Sequence, residues 1–216
     1  MIDIVTQKDF ITGGPDGDPE YNTHGFRCKE FADIDMDNYI LFAGSSHTEG
    51  VGVKPDQTFA HLVSAVMRCD QVNLGVGGGG IDAVEHNLLM WFLKHDKHPK
   101  AIIVEWPDYG RFIQDRWNQV NLCPAGMWSE SKFITLAHNA LYLKGEISYQ
   151  QLHKIIPVKI IDVMHAKITK HPHSMMIWHN DIDKGTDGDH AGPKSHINTA
   201  ENILQALEFF PSAKDR

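Results

Sequence analysis

Two polar stretches, far apart in the chain, hold residue types that together can transfer an acyl group. Residues 44–50, Gly-Ser-Ser-His-Thr-Glu-Gly, follow an apolar run and precede a helical pattern. A serine at such a tight strand-to-helix turn can expose its hydroxyl, while backbone N–H groups of the turn face any developing oxyanion. The position suits a nucleophile, and the alternative is a glycine-rich turn without chemistry.

The second stretch is the Asp-Gly-His-rich segment near the C-terminus, in which Asp187 precedes His190 by three positions. An acid at this spacing can orient an imidazole through one ring nitrogen while the other accepts the serine proton. The alternative is a loop that merely turns or binds a cation, because Asp183, Asp187 and Asp189 superficially suggest calcium. The acid pattern and the closing Glu of an EF-hand are absent, which favours the catalytic interpretation.

A glycine run at positions 75, 77 and 80 loosely imitates the phosphate-binding turn of a dinucleotide fold. That interpretation requires the glycines after the first strand and an acidic residue about 20 positions further on. Here the run follows the second predicted strand, so a dinucleotide site is disfavoured.

Three of these segments resemble blocks of the SGNH (GDSL-like) hydrolases. Residues 44–50 resemble Gly-Asp-Ser-x-x-x-Gly, which implies that Ser46 is the nucleophile. Residues 73–78 resemble Asn-x-Gly-x-x-Gly, which implies that the N–H of Gly78 joins that of Ser46 in an oxyanion hole. Asp187 and His190 resemble the Asp-x-x-His block and complete the implied triad. The resemblance extends from about residue 22 to the last predicted helix, and residues 22–27 look like a segment of some phage-encoded members.

Two departures from the family pattern concern the same site. Ser45 stands where the family usually has Asp, which removes a charge that normally supports the turn. The third block, Gly-x-Asn-Asp, is replaced by residues 105–108, Glu-Trp-Pro-Asp. The asparagine of that block donates to the oxyanion in the family. Trp106, Asp108, or a more distant Asn118 or Asn121 could line the turn instead, or a third donor is absent.

The pattern of apolar residues predicts strands that alternate with helices along the chain. Strands are predicted at 39–43, 71–74, 101–106 and 174–178, and helices at 57–68, 81–94, 148–170 with a kink or break at Pro157, and 197–210. The middle, 110–147, is predicted to be irregular. We expect one domain over 1–216, with 1–36 as an N-terminal extension packing on it. The expected fold is a three-layer α/β/α sandwich around a parallel sheet of about five strands.

Composition excludes several functional classes. The formal charge is −8 and basic runs are absent, so a nucleic acid is not an expected partner. No apolar run reaches the roughly 18 residues of a membrane span. The three cysteines and 14 histidines match no disulfide framework or zinc spacing, so neither a metal nor a cofactor is predicted. A secretory leader is not recognisable at the N-terminus, which predicts a cytoplasmic or virion-associated protein.

The resemblance implies an SGNH-type esterase that removes short acyl groups, such as acetyl, from a small-molecule or carbohydrate ester without a cofactor. One alternative is a weakly active or inactive binding or virion protein that keeps the fold. Another is an acyltransferase that uses the same triad. The sequence leaves the oligomeric state open.

Overall fold

The central element is a five-stranded parallel sheet. A computed structural model of the chain describes residues 10–12, 14, 15, 17–107, 111–116, 119–124, 147, 150–156, 158, 160–165 and 177–208. The strands are β1 (Tyr39–Gly44), β2 (Asp70–Gly75), β3 (Ile102–Trp106), β6 (Ile160–His165) and β7 (Ile177–His179), in the spatial order β2-β1-β3-β6-β7. Every neighbouring pair in this sheet is parallel. A separate antiparallel hairpin consists of β4 (Arg111–Arg116) and β5 (Gln119–Pro124).

Helices connect the strands and cover the sheet. They are α1 (Ser46–Glu49), α2 (Phe59–Met67), α3 (Ile81–Lys94), α4 (residues 150–155) and α5 (Pro193–Glu208). Short 3-10 segments precede β1 at Phe31–Asp33 and α2 at Pro55–Gln57. Within the described ranges, no helix combines the length and apolarity that crossing a bilayer requires.

Strands β1 and β3 bury both of their faces, which explains their nearly continuous apolar sequences. On one face, Leu41 and Val104 pack with Trp91 of α3 in a cluster that also includes α4. On the other face, Phe42 packs with the apolar sides of α2 and α5. The predicted three-layer α/β/α sandwich with a parallel sheet of about five strands is therefore confirmed.

The described part of the N-terminal segment packs on the α3 face of the sheet. Phe10, Phe26 and Phe31 are buried in the same cluster as Trp91, with edge-to-face contacts between Phe10 and both of the other phenylalanines. The Trp91 ring meets Phe31 edge-on at 5.0 Å between centroids. These residues extend the core beyond the sheet and helices.

Three predicted elements differ from the structure. The predicted irregular segment 110–147 contains the β4–β5 hairpin, whose connection lacks the Asn-Gly or Asp-Gly pair that usually marks a hairpin in a sequence. The predicted helix 148–170 is helical only to residue 155 and then forms β6, because a short apolar run fits strand and helix equally well. The last helix begins at Pro193 rather than residue 197, with proline at the first helical position.

Candidate active site

The serine turn lies at the carboxyl end of β1. Ser45 is the extended residue before α1, Ser46 is the first helical residue, and Gly50 ends the helix with a φ of 86°. Ser46 is 6% exposed. Its N–H belongs to the first turn of a helix, where the backbone donors lack an intrahelical acceptor. Hydroxyl and backbone donor therefore occur together at this position.

The glycine turn after β2 lies beside the serine turn because β1 and β2 are in register, with Gly44 opposite Gly75. Val76 donates its N–H to the carbonyl of Gly44 at 3.0 Å. A Cβ on Gly75 would lie 2.3 Å from the backbone nitrogen of Glu49, so only glycine permits this approach. Gly78, the predicted second oxyanion donor, follows in this turn with a φ of 72°.

Asp187 and His190 form a hydrogen-bonded pair in the loop between β7 and α5. The Nδ1 of His190 lies 2.6 Å from Oδ2 of Asp187. The backbone N–H groups of Asp189 and His190 donate to Oδ1 of the same carboxylate, each at 3.1 Å. The hydrogen bond with the His190 side chain, with these N–H groups, lowers the pKa of Asp187. Asp187 therefore remains ionised and holds the imidazole in one orientation.

This loop docks on the segment that follows α1. Thr186 donates its N–H to the carbonyl of Gly52 at 2.7 Å, and a Cβ on Gly52 would lie 2.8 Å from Oδ1 of Asp187. The ring of His190 meets that of His47 at 5.7 Å between centroids. Because His47 directly follows Ser46, the fold brings the Asp187–His190 pair to the serine turn across more than 130 residues of sequence.

Asp183, another acid of this loop, stabilises the start of helix α5. Asp183 accepts the backbone N–H groups of Lys194 and Ser195, at 3.0 and 2.9 Å, and so caps the start of α5. In the part of the chain that the structure describes, no three His, Cys, Asp or Glu side chains converge as metal ligands. The carboxylates of Asp183 and Asp187 are engaged in hydrogen bonds with the protein itself.

His196, which follows this loop on α5, is buried away from solvent. Its Nδ1 accepts the N–H of Phe59 at the first residue of α2, at 3.1 Å, and its ring stacks on the ring of Phe59. Burial lowers the pKa of His196 to about 4. His196 thus joins α2 to α5 in the neutral form.

We expect the protein to lose stability as the pH falls from about 6.5 towards 4, since the unfolded chain takes up a proton that folded His196 refuses. Between pH 7 and 5, the titration of His196 alone should lower the free energy of unfolding by about 2 kcal/mol. His196→Asn keeps an acceptor for Phe59 and does not titrate. Urea titrations of both proteins at the two pH values should show a smaller pH effect in the variant, and an equal effect would contradict the assignment.

Trp106, a candidate for the substrate or oxyanion turn, lies in the hydrophobic core. It is 0% exposed, and its indole Nε1 donates to Oδ1 of Asp162 at 2.7 Å. Buried indole groups pack this way because the N–H finds an acceptor while the ring remains in the core. The indole N–H is engaged with Asp162, and a role of Trp106 at the substrate or oxyanion turn stays a prediction. Asp108, Asn118 and the side chain of Asn121 lie outside the described residues.

Two buried side chains at the site were missed by the sequence analysis. Glu105, at the end of β3, is 1% exposed and accepts hydrogen bonds from the serine turn. Arg27 donates to the carbonyl of Gly50 and forms an ion pair with Glu20. An acid within an otherwise apolar strand was the available signal for Glu105. Arg27 left none, because its partners are distant in sequence.

Comparisons with known proteins identify the fold. No family model matches the sequence, and no curated protein does. A carbohydrate esterase family 2 enzyme with a carbohydrate binding domain, from Corynascus thermopiles (Myceliophthora fergusii), matches with a TM-score of 0.50 and 13% identity, covering 79% of this chain and 65% of that one. An acetyl xylan esterase from the rumen bacterium Butyrivibrio proteoclasticus has a TM-score of 0.49 and 17% identity, covering 79% and 63%. The chain thus spans just under two thirds of the length of these proteins, and the first likeness shows a shared fold.

Proposed function

We propose that the chain is a serine esterase of the SGNH type, with Ser46 as nucleophile, His190 as general base and Asp187 behind it. The observation that carries the proposal is the Asp187–His190 pair, with its 2.6 Å hydrogen bond, docked beside the turn that bears Ser46. Resemblance of the two sequence blocks to that family supports the same residues.

In the proposed mechanism, the Ser46 hydroxyl attacks the ester carbonyl while Nε2 of His190 takes its proton. Asp187 accepts a hydrogen bond from the Nδ1–H group of His190 and, remaining ionised, stabilises the imidazolium. Backbone N–H groups of Ser46 and Gly78 bind the oxyanion. The leaving alcohol then takes the proton from His190, and water, deprotonated by the same imidazole, releases the acid from Ser46.

The proposed substrate is a short acyl ester, such as an acetyl group on a sugar hydroxyl. The family resemblance favours it, and the Corynascus thermopiles protein that shares the fold is a carbohydrate esterase by name. A cytoplasmic or virion-associated location and a phage origin belong to the same proposal. Residues 22–27, on which the phage resemblance rests, also have a structural task here through Arg27.

A panel of p-nitrophenyl esters tests the chain-length preference. We expect kcat/KM to be at least about tenfold higher for the acetate than for the octanoate, a difference that a few methylene contacts can produce. Acetylated xylo-oligosaccharides are tested beside them, with release of acetate measured. Equal or higher kcat/KM for the octanoate would contradict the short-acyl proposal.

The same assay separates the alternative functions. Transfer of the acetyl group to an added alcohol in preference to water would identify an acyltransferase. No hydrolysis of any ester, together with no labelling of Ser46 by a fluorophosphonate, would contradict an active serine enzyme and favour a binding protein.

A further inference from the structure

The strand neighbouring the serine turn supplies a buried carboxylate to it. Oε2 of Glu105 accepts the backbone N–H of Ser45 at 2.7 Å and the Ser45 hydroxyl at 2.9 Å. The Thr48 hydroxyl donates to the same oxygen at 3.2 Å. Ser45 and Thr48 lie on either side of Ser46 in sequence, so the Glu105 side chain fastens the turn before and after the proposed nucleophile.

The position of Ser45 explains why its backbone needs this acceptor. Pairing between β1 and β3 ends at Ala43 opposite Val104, so the N–H of Ser45 has already left the sheet ladder. The Ser45 hydroxyl does not cap α1, since it points to Glu105 instead. One carboxylate therefore satisfies a main-chain donor and a side-chain donor that the sheet and the helix leave over.

Gly44 is adapted to the same carboxylate. A Cβ at this position would lie 2.7 Å from Oε2 of Glu105 and 2.1 Å from the Thr48 hydroxyl oxygen. Any side chain would displace one or both of these groups. The glycine before the serine turn thus makes room for the hydrogen-bonded carboxylate.

Burial of the Glu105 carboxylate costs desolvation free energy. Glu105 is 1% exposed, and the donors that face it, an N–H and two hydroxyls, are all neutral. A buried charge held by neutral donors carries a desolvation penalty that an apolar residue in β3 would avoid. Charge-assisted hydrogen bonds are, in return, short and strongly directional.

We infer that Glu105 is a positioning residue for Ser46, and that it supplies from β3 the carboxylate that the turn lacks at position 45. The inference rests on the proposed function. Glu105 does not touch the reacting atoms. It acts by fixing Ser45 and Thr48, and through them the direction of the Ser46 hydroxyl.

Moving the carboxylate from position 105 to position 45 tests this inference. Glu105→Gln should lower kcat for p-nitrophenyl acetate by about tenfold or more with KM changed by less than about twofold, since a slightly misplaced nucleophile loses rate rather than binding. Ser45→Asp alone sets two carboxylates together and should also lower kcat. In the double variant a single carboxylate, now at position 45, faces the neutral side-chain amide at position 105. We expect kcat to recover to within about threefold of the wild type. The rate of fluorophosphonate labelling should follow kcat.

Asp162→Asn is the matched control, because Asp162 is a largely buried, hydrogen-bonded carboxylate on the adjacent strand β6 that does not contact the turn. It should lower stability and leave kcat unchanged. All variants are assayed below their unfolding temperatures, measured by circular dichroism. Should Glu105→Gln not fold, Thr48→Val removes one donor to the same oxygen and should lower kcat at constant KM.

Outcomes for the inference and for the proposed function are distinct. A wild type that neither hydrolyses esters nor labels at Ser46 would contradict the proposed function. An active wild type in which Glu105→Gln keeps its kcat, or loses no more than Asp162→Asn, would overturn only the positioning role. A double variant no faster than Glu105→Gln would likewise overturn it.

Discussion

Ser46→Ala is expected to lower kcat for ester hydrolysis by about 10⁴-fold or more, since an acyl-enzyme cannot form without the hydroxyl. Ser46 is the first residue of α1, at the carboxyl end of a parallel strand, where ligands of such sheets bind. The measurement is steady-state hydrolysis of p-nitrophenyl acetate with the variant at high concentration. Fluorophosphonate labelling, followed by mass spectrometry, should disappear in parallel.

Ser45→Ala is the neighbouring control for this result. It removes the hydroxyl that donates to Glu105. The backbone N–H of residue 45 still donates to the same carboxylate. As for Thr48→Val, we expect kcat to be lowered, but Ser45→Ala should retain much of the activity that Ser46→Ala loses, and it should still label at Ser46. Equal losses in the two variants would contradict the assignment of Ser46 as the nucleophile.

His190→Ala is expected to bring turnover close to the uncatalysed background, a loss of about 10⁴-fold or more, because no base then takes the serine proton. Asp187→Asn should cost less, since the imidazole remains. Activity of the wild type should fall on acidification, because a protonated imidazole cannot accept a proton. The lowered pKa of Asp187 excludes its protonation as the cause of that fall near neutral pH.

Two histidines serve as controls for His190. His196→Asn should keep kcat at neutral pH, because His196 is buried against Phe59. His86→Gln, on α3, should also keep it. Turnover that survives in His190→Ala but is lost in His196→Asn would reverse the two roles.

Much of the fold follows from local sequence patterns. Helix α3 begins and ends where the sequence predicts, at Ile81 and Lys94, because its apolar spacing is regular. Helix α5 was predicted four residues short. Its start is capped by Asp183, ten residues upstream, and capping rules consider only neighbouring residues.

The site was predictable only where its chemistry is local. The Asp187–His190 spacing places both groups on one loop, and the structure shows their hydrogen bond. Glu105 could not be connected to the serine turn in the same way, because its partner Ser45 is 60 residues away and meets it only through strand pairing. The hydrogen bond of Trp106 to Asp162 was not predictable for a similar reason, since the two residues are 56 positions apart and lie on paired strands.

The hydrogen bonds that join Gly52 to Thr186 have a consequence for biosynthesis. These two residues are 134 positions apart, so the contact forms only after the segment that bears Thr186 has been synthesised and has left the ribosome. Ser46 is therefore synthesised long before His190. If Ser46, His190 and Asp187 form the proposed triad, the growing chain cannot hydrolyse esters until the loop that bears Asp187 and His190 packs on the serine turn.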